Sequence, residues 1–206
     1  MDVSVCIVNL NAKQHLASCL NLLPESLGSC SYEVIIVDNH SQDGSQEFIQ
    51  QEYPGFHLLV NHRNEGYTRA INTAIRVSRG DYLAVLNPDS EPGPNSIFTL
   101  IEFLKMNENI GIVGPKVIAS DGSFQRSCRR GVARPAAVFS YFLGLAKRYP
   151  NDQRFTGYHL NHLDENEINE VSGVSGSCMV IRRKTLKDIG YFDEQFFAYQ
   201  EDSDYC

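Results

Sequence analysis

The sequence has no excess of basic residues. Its 206 residues contain 18 lysines and arginines against 25 aspartates and glutamates, which gives a formal net charge of -7. A nucleic-acid-binding surface needs a basic stripe that neutralises phosphates, so the composition argues against a nucleic-acid partner. An acidic protein that binds an anionic nucleotide must instead neutralise it locally, with a metal ion or an arginine.

The sequence also lacks the cysteine spacings of a zinc site. None of the cysteines forms a CxxC pair, and several fall on apolar positions of predicted elements, so we expect reduced thiols in a cytosolic protein. A basic leader does not precede the first predicted strand, and no apolar run approaches the length of a membrane span. The cysteines are Cys6, Cys19, Cys30, Cys128, Cys178 and Cys206.

The glycine loops that usually bind phosphate are missing as well. A Rossmann fold needs G-x-G-x-x-G after its first strand, whereas residues 9–14 read Asn-Leu-Asn-Ala-Lys-Gln. A P-loop is absent too. The missing loops argue against a nicotinamide or flavin enzyme, and we expect another part of the chain to bind the phosphates.

What is present is a regular alternation of strand and helix patterns. Buried strands are predicted at residues 3–8, 33–38, 56–60 and 81–86. Helices are predicted at 11–23 with Asn11 as the cap, near 48–49, at 66–78, and from Pro94 to about 104. This order predicts an α/β fold, a mostly parallel central sheet with helices on both faces.

The second half of the chain has a different pattern. Residues 110–119 read as a strand, and Asp121-Gly122 reads as a hairpin turn. Residues 149–169 are polar and look like a loop or lid. A Gly/Ser-rich turn then enters a strand that ends near residue 181, and 184–189 is a short helix. We expect a small antiparallel element here and find no linker that would divide residues 1–206 into separate domains.

The stretch at residues 81–89 organises the chain, because its strand ends abruptly at Asn87-Pro88-Asp89. A carboxylate at the end of a central parallel strand lies where open α/β sheets bind ligands. Mg²⁺ needs only one or two protein carboxylates when phosphates supply its other ligands. On its own, the tripeptide favours a simple turn over a metal site.

Taken together, several motifs in order resemble a family 2 glycosyltransferase with the GT-A fold, especially the rhamnosyltransferase-like branch. The resemblance runs from residue 3 to the end of the chain. It rests on residues 3–11, 37–41, 64–72, 86–89, 176–183 and 190–202. By this resemblance, residues 1–110 are the nucleotide-sugar-binding half, and 111–206 are an acceptor-binding half that is C-terminally incomplete.

The resemblance also implies roles for individual residues. Asp202 would be the general base, and Asp89 would bind Mg²⁺ or Mn²⁺. Asp202 follows Glu201 at a predicted helix start, where the helix dipole favours an ionised carboxylate. The expected substrate-binding residues are Asn9, Asp38, Arg63, Asn64, Gly66, Asn87 and Glu201.

Two of these residues have a structural alternative. Asp38 would also serve as a cap of the helix that follows it, although the motif context favours the nucleotide role, and Arg63 would equally well be a solvated surface residue. Asn72 reads rather as a buried structural amide. Position 87 carries an amide where the family's DxD motif has a carboxylate, so Asp89 is the better candidate for a direct ligand.

The implied activity is inverting transfer of a sugar, with rhamnose as one candidate. The donor would be a dTDP- or UDP-linked sugar, and the acceptor a glycan or a polyprenyl-linked molecule. Two alternatives remain open: a nucleotide-sugar-binding domain that no longer turns its ligand over, and a nucleotidyltransferase. The latter usually has a basic Gly-rich loop after its first strand, and this sequence has none.

Residues 129–148 combine an apolar stretch with basic flanks. They suit an interfacial helix at the inner face of the membrane, which would make a cytoplasmic protein peripherally membrane-bound. A helix in the core or in a homodimer interface fits the pattern equally well.

Overall fold

The computed structural model describes residues 1–132, 143–149, 152, 158, 160 and 162–206. The strands are β1 Val3–Asn9, β2 Tyr32–Asp38, β3 His57–Val60, β4 Tyr82–Leu86, β5 Ile112–Val113, β6 Arg129–Arg130, β7 Gly173–Val174 and β8 Cys178–Arg182. The α-helices are α1 Lys13–Leu27, α2 Ser45–Glu52, α3 Tyr67–Val77, α4 Ser96–Met106, α5 Leu145–Arg148, α6 Thr185–Ile189 and α7 Glu201–Tyr205.

The central sheet has the strand order β3-β2-β1-β4-β8-β5. Strands β1 to β4 pair in parallel, whereas β8 runs antiparallel to both β4 and β5. A separate antiparallel pair joins β6 to β7. The predicted mostly parallel sheet and the small antiparallel element in the second half are therefore both confirmed.

The central strands are buried on both faces, which explains why they read as continuous apolar runs. All seven residues of β1 are buried, and its side chains alternate between two hydrophobic cores. Val3, Val5 and Ile7 pack with α1 and α4 on one face. Cys6 and Val8 pack with α3 on the other face. The sheet thus separates the helices into two layers.

The predicted cap of α1 is wrong. Asn11 has a positive φ of 50°, and the helix begins two residues later, at Lys13. The amide of Lys13 donates a hydrogen bond to Asp43 Oδ2 at 2.8 Å, so a carboxylate from the next loop replaces the cap. Asn11 Oδ1 instead accepts from the amide of Gln42 at 2.7 Å, which ties together the loops that follow β1 and β2.

The predicted strand at residues 110–119 is also wrong in extent. Only Ile112–Val113 pair with β8, because Pro115 has no N–H for a ladder. Further along, the hairpin turn at Asp121-Gly122 is confirmed. The amide of Ala119 donates to the carbonyl of Ser123 at 2.8 Å, and Gly122 has the positive φ that the turn requires.

Half of the predicted interfacial helix at 129–148 lies outside the described residues, which omit 133–142. Much of the predicted lid at 149–169 is outside them as well. Within the described part of the chain, each helix is too short or too polar to cross a bilayer. The carboxyl ends of β1, β2 and β4 meet at one edge of the sheet, and the loops at this edge carry most of the predicted site residues.

Candidate active site

The first group of site residues lies where β1 and β2 end side by side. Asn9 pairs with Asp38 in the strand register, and both side chains are fully buried. Asn9 Nδ2 donates to Asp38 Oδ2 at 2.9 Å and to Ser41 Oγ at 3.0 Å. Asp38 Oδ1 accepts from the amide of Ser41 at 2.9 Å and from Gln46 Nε2 at 2.7 Å. Asp38 therefore organises the loop into α2, and its contact with a nucleotide stays a prediction.

Asn9 carries an unused acceptor at this edge. Its Oδ1 atom is buried and has no hydrogen-bond partner among the described residues. Buried polar atoms are normally paired, so such an acceptor is what a ligand donor at this position would use. This observation fits the predicted substrate-binding role of Asn9.

The loop between β3 and α3 is held by a network of amides. Asn39 Nδ2 donates to Asn64 Oδ1 at 2.8 Å and to the carbonyl of Gly66 at 3.2 Å. Asn64 Oδ1 also accepts from the amide of Gly66 at 2.9 Å. Asn64 thus shapes its own loop. Arg63 is exposed, and its Nε lies 3.5 Å from the carboxylate of Glu65.

The structure shows a packing reason for glycine at position 66 that the sequence did not reveal. Its predicted contact with a nucleotide stays a prediction; within the protein, the nearest atom to an added Cβ would be the carbonyl oxygen of Phe197, at 2.6 Å. The same carbonyl accepts from the amide of Tyr67 at 2.8 Å. Gly66, whose φ is +88°, therefore lets the segment before α7 dock onto the start of α3.

The Asn87-Pro88-Asp89 segment forms a turn that is docked onto the Gly/Ser-rich loop before β8. The amide of Ser90 donates to the carbonyl of Asn87 at 3.2 Å, which closes the turn. Ser177 then accepts two bonds at its carbonyl, from the amide of Asn87 at 3.0 Å and from Ser90 Oγ at 2.8 Å. Asp89 is exposed on this turn.

Asp202 is buried in α7, and its carboxylate is held from two sides. Arg130 Nη1 donates to its Oδ1 atom at 2.6 Å, and the amide of Gly176 donates to its Oδ2 atom at 3.0 Å. Ser203 Oγ accepts from Arg130 at 2.6 Å and lies 3.3 Å from Asp202 Oδ1. Sequence reasoning placed Arg130 in a basic flank for membrane contact; the structure turns its guanidinium towards Asp202 instead.

Glu201 and Tyr67 add two unpaired polar atoms beside Asp202. Glu201 Oε2 and Tyr67 Oη are both buried without a hydrogen-bond partner in the described part of the chain. Burial raises the pKa of Glu201, and the negative charge of Asp202 adds to the effect. The expectation that the helix dipole would dominate here is therefore wrong for Glu201, because α7 is only five residues long and its first residue is buried.

Tyr67 is a site residue that sequence reasoning missed. Burial, together with the charges of Glu201 and Asp202, raises the pKa of its phenol well above the usual range. A Cβ added to Gly176 would lie 3.7 Å from Asp202 Oδ2 and 3.9 Å from Tyr67 Oη. The phenol and the carboxylate therefore converge on the backbone of Gly176.

The donor atoms at Asn87 and Asp89 suit a hard cation only if a ligand completes the site. Among the described residues, no three His, Cys, Asp or Glu side chains gather into a metal centre. An exposed carboxylate and an amide oxygen nonetheless fit Mg²⁺ or Mn²⁺ when a diphosphate supplies further oxygens.

Two further predictions concern Asn72 and the cysteines. Asn72 is the buried structural amide that we expected: its Nδ2 donates to the carbonyl of Phe192 at 2.8 Å, and its Oδ1 accepts the amide of Phe192 at 3.1 Å. All six cysteines are free, as predicted.

A cleft of about 580 Å³ opens between the loops that follow β2 and β3. Its lining includes His40, Ser41, Gln46, Val60, Asn61 and His62.

Comparison with solved structures identifies the fold. S. aureus TarS superimposes on the whole chain with a TM-score of 0.68 at 16% identity, and this chain covers 32% of that structure. The mannosyltransferase PcManGT from Pyrobaculum calidifontis, in complex with GDP-Man and Mn²⁺, superimposes on 98% of the chain with a TM-score of 0.62 at 18% identity. This chain covers 50% of that structure. These likenesses show the GT-A fold.

Comparison of sequences identifies the family. The N-acetylglucosaminyl-diphospho-decaprenol L-rhamnosyltransferase of Mycobacterium tuberculosis is 32% identical over 83% of this chain and 58% of its own length. The low-salt glycan biosynthesis hexosyltransferase Agl10 of Haloferax volcanii is 25% identical over 100% of this chain and 60% of its own length. The chain thus spans somewhat more than half the length of these relatives. Residues 4–190 match the family described as glycosyl transferase family 2. The chain belongs to glycosyl transferase family 2 and resembles its rhamnosyltransferase-like branch.

Proposed function

We propose that this chain is the catalytic domain of an inverting glycosyltransferase. It transfers a sugar, with rhamnose as the first candidate, from a dTDP- or UDP-linked donor to a lipid-linked or glycan acceptor. The observation that carries the proposal is the loop at residues 176–177. Gly176 binds the carboxylate of Asp202, and the adjacent Ser177 binds the turn that contains Asp89.

This arrangement supports a single displacement. Asp202 takes the proton from the acceptor hydroxyl, and the acceptor oxygen then attacks the anomeric carbon on the face opposite the diphosphate. Asn87 and Asp89 would hold Mg²⁺ or Mn²⁺, which offsets the charge that develops on the departing diphosphate. One such displacement inverts the anomeric centre.

The remaining residues divide between the two substrates. The nucleoside would bind at the ends of β1 and β2, which carry Asn9 and Asp38, and at the loop after β3, which carries Arg63, Asn64 and Gly66. Glu201 is assigned to the acceptor, because its unpaired Oε2 atom adjoins the proposed base. The substrate in the mycobacterial relative's name makes an N-acetylglucosaminyl-diphospho-lipid the first acceptor to test.

Location is a separate part of the proposal. We place the protein in the cytoplasm, peripherally at the inner face of the membrane through residues 129–148, with Arg130 left out of the contact because it pairs with Asp202. Flotation with anionic vesicles at low salt tests this contact, and failure to float removes it. A monomer–dimer equilibrium measured by sedimentation tests the homodimer that the same segment would form.

The central test is release of nucleoside diphosphate from dTDP-L-rhamnose and from UDP-N-acetylglucosamine, with and without the lipid acceptor. Asp202→Asn should leave donor affinity intact and reduce turnover about 10²–10⁴-fold, the usual contribution of a general base. Asp204→Asn is the matched control, because Asp204 is an exposed carboxylate on the same helix. It should retain nearly full activity.

The same assay separates the alternatives. A chain that binds donor but releases no nucleoside diphosphate is a binding domain, and one that forms a nucleotide sugar from a nucleoside triphosphate is a nucleotidyltransferase. EDTA should abolish turnover and weaken donor binding, because a protein of net charge -7 offers little general attraction for a diphosphate. Unchanged turnover by Asp202→Asn contradicts the base assignment.

A further inference from the structure

The carboxylate of Asp202 receives its hydrogen bonds unevenly. Its Oδ1 atom is bound by Arg130 Nη1 at 2.6 Å and by Ser203 Oγ at 3.3 Å. Its Oδ2 atom is bound by the amide of Gly176 at 3.0 Å. An ionised carboxylate oxygen can accept about two hydrogen bonds. Oδ1 is therefore filled, and the open acceptor position is on Oδ2.

The two clamping groups come from one small piece of structure. Arg130 lies in β6 and pairs with Gly173 of β7 in the antiparallel register. The amide of Ser175 donates to the carbonyl of Cys128 at 3.0 Å. The segments that contain β6 and β7 therefore remain hydrogen-bonded up to the loop that carries Gly176. The β6–β7 pair thus positions the guanidinium of Arg130 at one oxygen of Asp202 and the amide of Gly176 at the other.

Among the described residues, Arg130 forms an ion pair with Asp202. The charge of Asp202 acts on Glu201 of its own helix, on Tyr67 from α3 and on Cys206 after α7. Each of these is neutral or negative. The side chains of Arg130 and Asp202 are only 19% and 8% exposed, so water screens their attraction less than at a surface.

We propose that Arg130 is a positioning residue that occupies Oδ1 of Asp202 and thereby directs Oδ2 at the acceptor hydroxyl. This inference rests on the proposed base role of Asp202. In the step it serves, the acceptor O–H bond breaks and its proton passes to Oδ2. The acceptor oxygen bonds to the anomeric carbon, and the bond from that carbon to the diphosphate breaks with its electron pair on the leaving group. Arg130 stays protonated throughout.

If Arg130 were only a strut, that is, a structural link between β6 and α7, the contact would be the same but the kinetic result would differ. If Arg130 acts only by orienting the base, its removal lowers kcat and leaves donor KM unchanged, because Arg130 does not touch the donor loops described above. Its effect also disappears once the base itself is gone. A strut instead acts on stability whether or not residue 202 can accept a proton.

The test is a double-mutant cycle between Arg130→Gln and Asp202→Asn, followed by release of nucleoside diphosphate from dTDP-L-rhamnose and UDP-N-acetylglucosamine. In the native background, Arg130→Gln should lower kcat about 10²-fold, the usual cost of a misplaced catalytic group. In the Asp202→Asn background, the same change should have an effect within about twofold, because non-additivity marks residues that act as a unit.

Two further variants keep the result interpretable if Arg130→Gln folds poorly. Arg130→Lys retains a cation and should keep an intermediate kcat. Arg129→Gln removes the neighbouring arginine, whose Nη2 donates to the carbonyl of Leu163 at 2.6 Å. Any loss caused by Arg129→Gln should be the same with Asp or Asn at position 202.

The outcomes distinguish the positioning role of Arg130 from the base role of Asp202. An inactive Asp202→Asn enzyme together with a fully active Arg130→Gln enzyme overturns only the role of Arg130. Equal losses from Arg130→Gln in both backgrounds overturn it as well and make the residue a strut. A fully active Asp202→Asn enzyme removes the base assignment, and the role of Arg130 falls with it.

Discussion

The two buried aspartates of the site are held in contrasting ways. Asp38 accepts from Asn9, Ser41 and Gln46, all of them neutral donors within 29 residues of it in the sequence. Asp202 is bound by the charged side chain of Arg130, 72 residues away. The first carboxylate is fixed by neighbouring parallel strands, and the second by a separate two-stranded sheet.

The difference extends to the atoms around each carboxylate. Both oxygens of each aspartate are bound by protein groups, and beside Asp38 one buried polar atom, Asn9 Oδ1, has no partner in the described structure. Beside Asp202 there are two such atoms, Glu201 Oε2 and Tyr67 Oη. Unsatisfied buried groups lower stability and are kept where function needs them. The Asp202 side therefore has more buried polar atoms that a ligand would satisfy than the Asp38 side has.

The two sides meet at Gly66, so the largest expected effect comes from breaking that contact. Gly66→Ala places a Cβ 2.6 Å from the carbonyl of Phe197, at a φ of +88°. We expect a loss of about 2–5 kcal/mol in unfolding free energy, from steric overlap and from a backbone conformation (φ 88°, ψ 161°) that essentially only glycine adopts. Urea unfolding followed by circular dichroism measures it.

Gly122→Ala is the control for this substitution. Gly122 has a similar φ of +83°, but an added Cβ would meet no atom within 4 Å. It should lose only about 1–2 kcal/mol, the cost of a left-handed alanine. Equal losses at the two glycines would show that the contact with Phe197 does not couple the two sides.

The sequence allowed the Asp38 side to be predicted far better than the Asp202 side. Strands β1 to β4 follow apolar runs, and parallel strands bring Asn9, Asp38 and Asn87 to one edge of the sheet. The bond between Arg130 and Asp202 depends on β6 and β7, which have two residues each and show no periodicity. Family motifs indicated Asp202, but no local pattern pointed to its partner.

Asp38→Asn should produce the next largest effect. Ser41, Gln46 and Asn9 all donate hydrogen bonds to the Asp38 carboxylate. In the variant, an NH₂ group replaces one carboxylate oxygen and faces one of these donors, and the remaining bonds lose their charge assistance. We expect a decrease of about 1.5–3 kcal/mol in unfolding free energy. Calorimetry with UDP on the folded variant tests the nucleotide role separately: unchanged affinity would confine Asp38 to organising its loop.

The smallest effect concerns Glu201, whose pKa is raised by burial and by the charge of Asp202. Because the folded chain holds this proton more tightly than the unfolded chain, the resulting stabilisation is complete below the unfolded pKa of about 4.3. It disappears as pH rises through the folded pKa. Glu201→Gln stays neutral, so it should unfold at a higher temperature than the native chain at pH 7, with the gain fading near pH 4.

Glu33 provides the opposite case at the far end of the sheet. Burial favours its neutral form, but hydrogen bonds from Ser4 Oγ and the amide of Arg79 outweigh burial and lower its pKa. Its stabilisation is therefore present above the unfolded pKa and lost as pH falls through the folded pKa. Glu33→Gln should thus lower the melting temperature at pH 7 and matter less in acid. Thermal unfolding of both variants from about pH 2 to 8 should give difference curves of opposite slope, with the change for Glu33 below its unfolded pKa and the change for Glu201 above it. A Glu201→Gln variant less stable than the native chain at pH 7 would show that the Glu201 carboxylate stabilises the fold and is not a group held free for the acceptor.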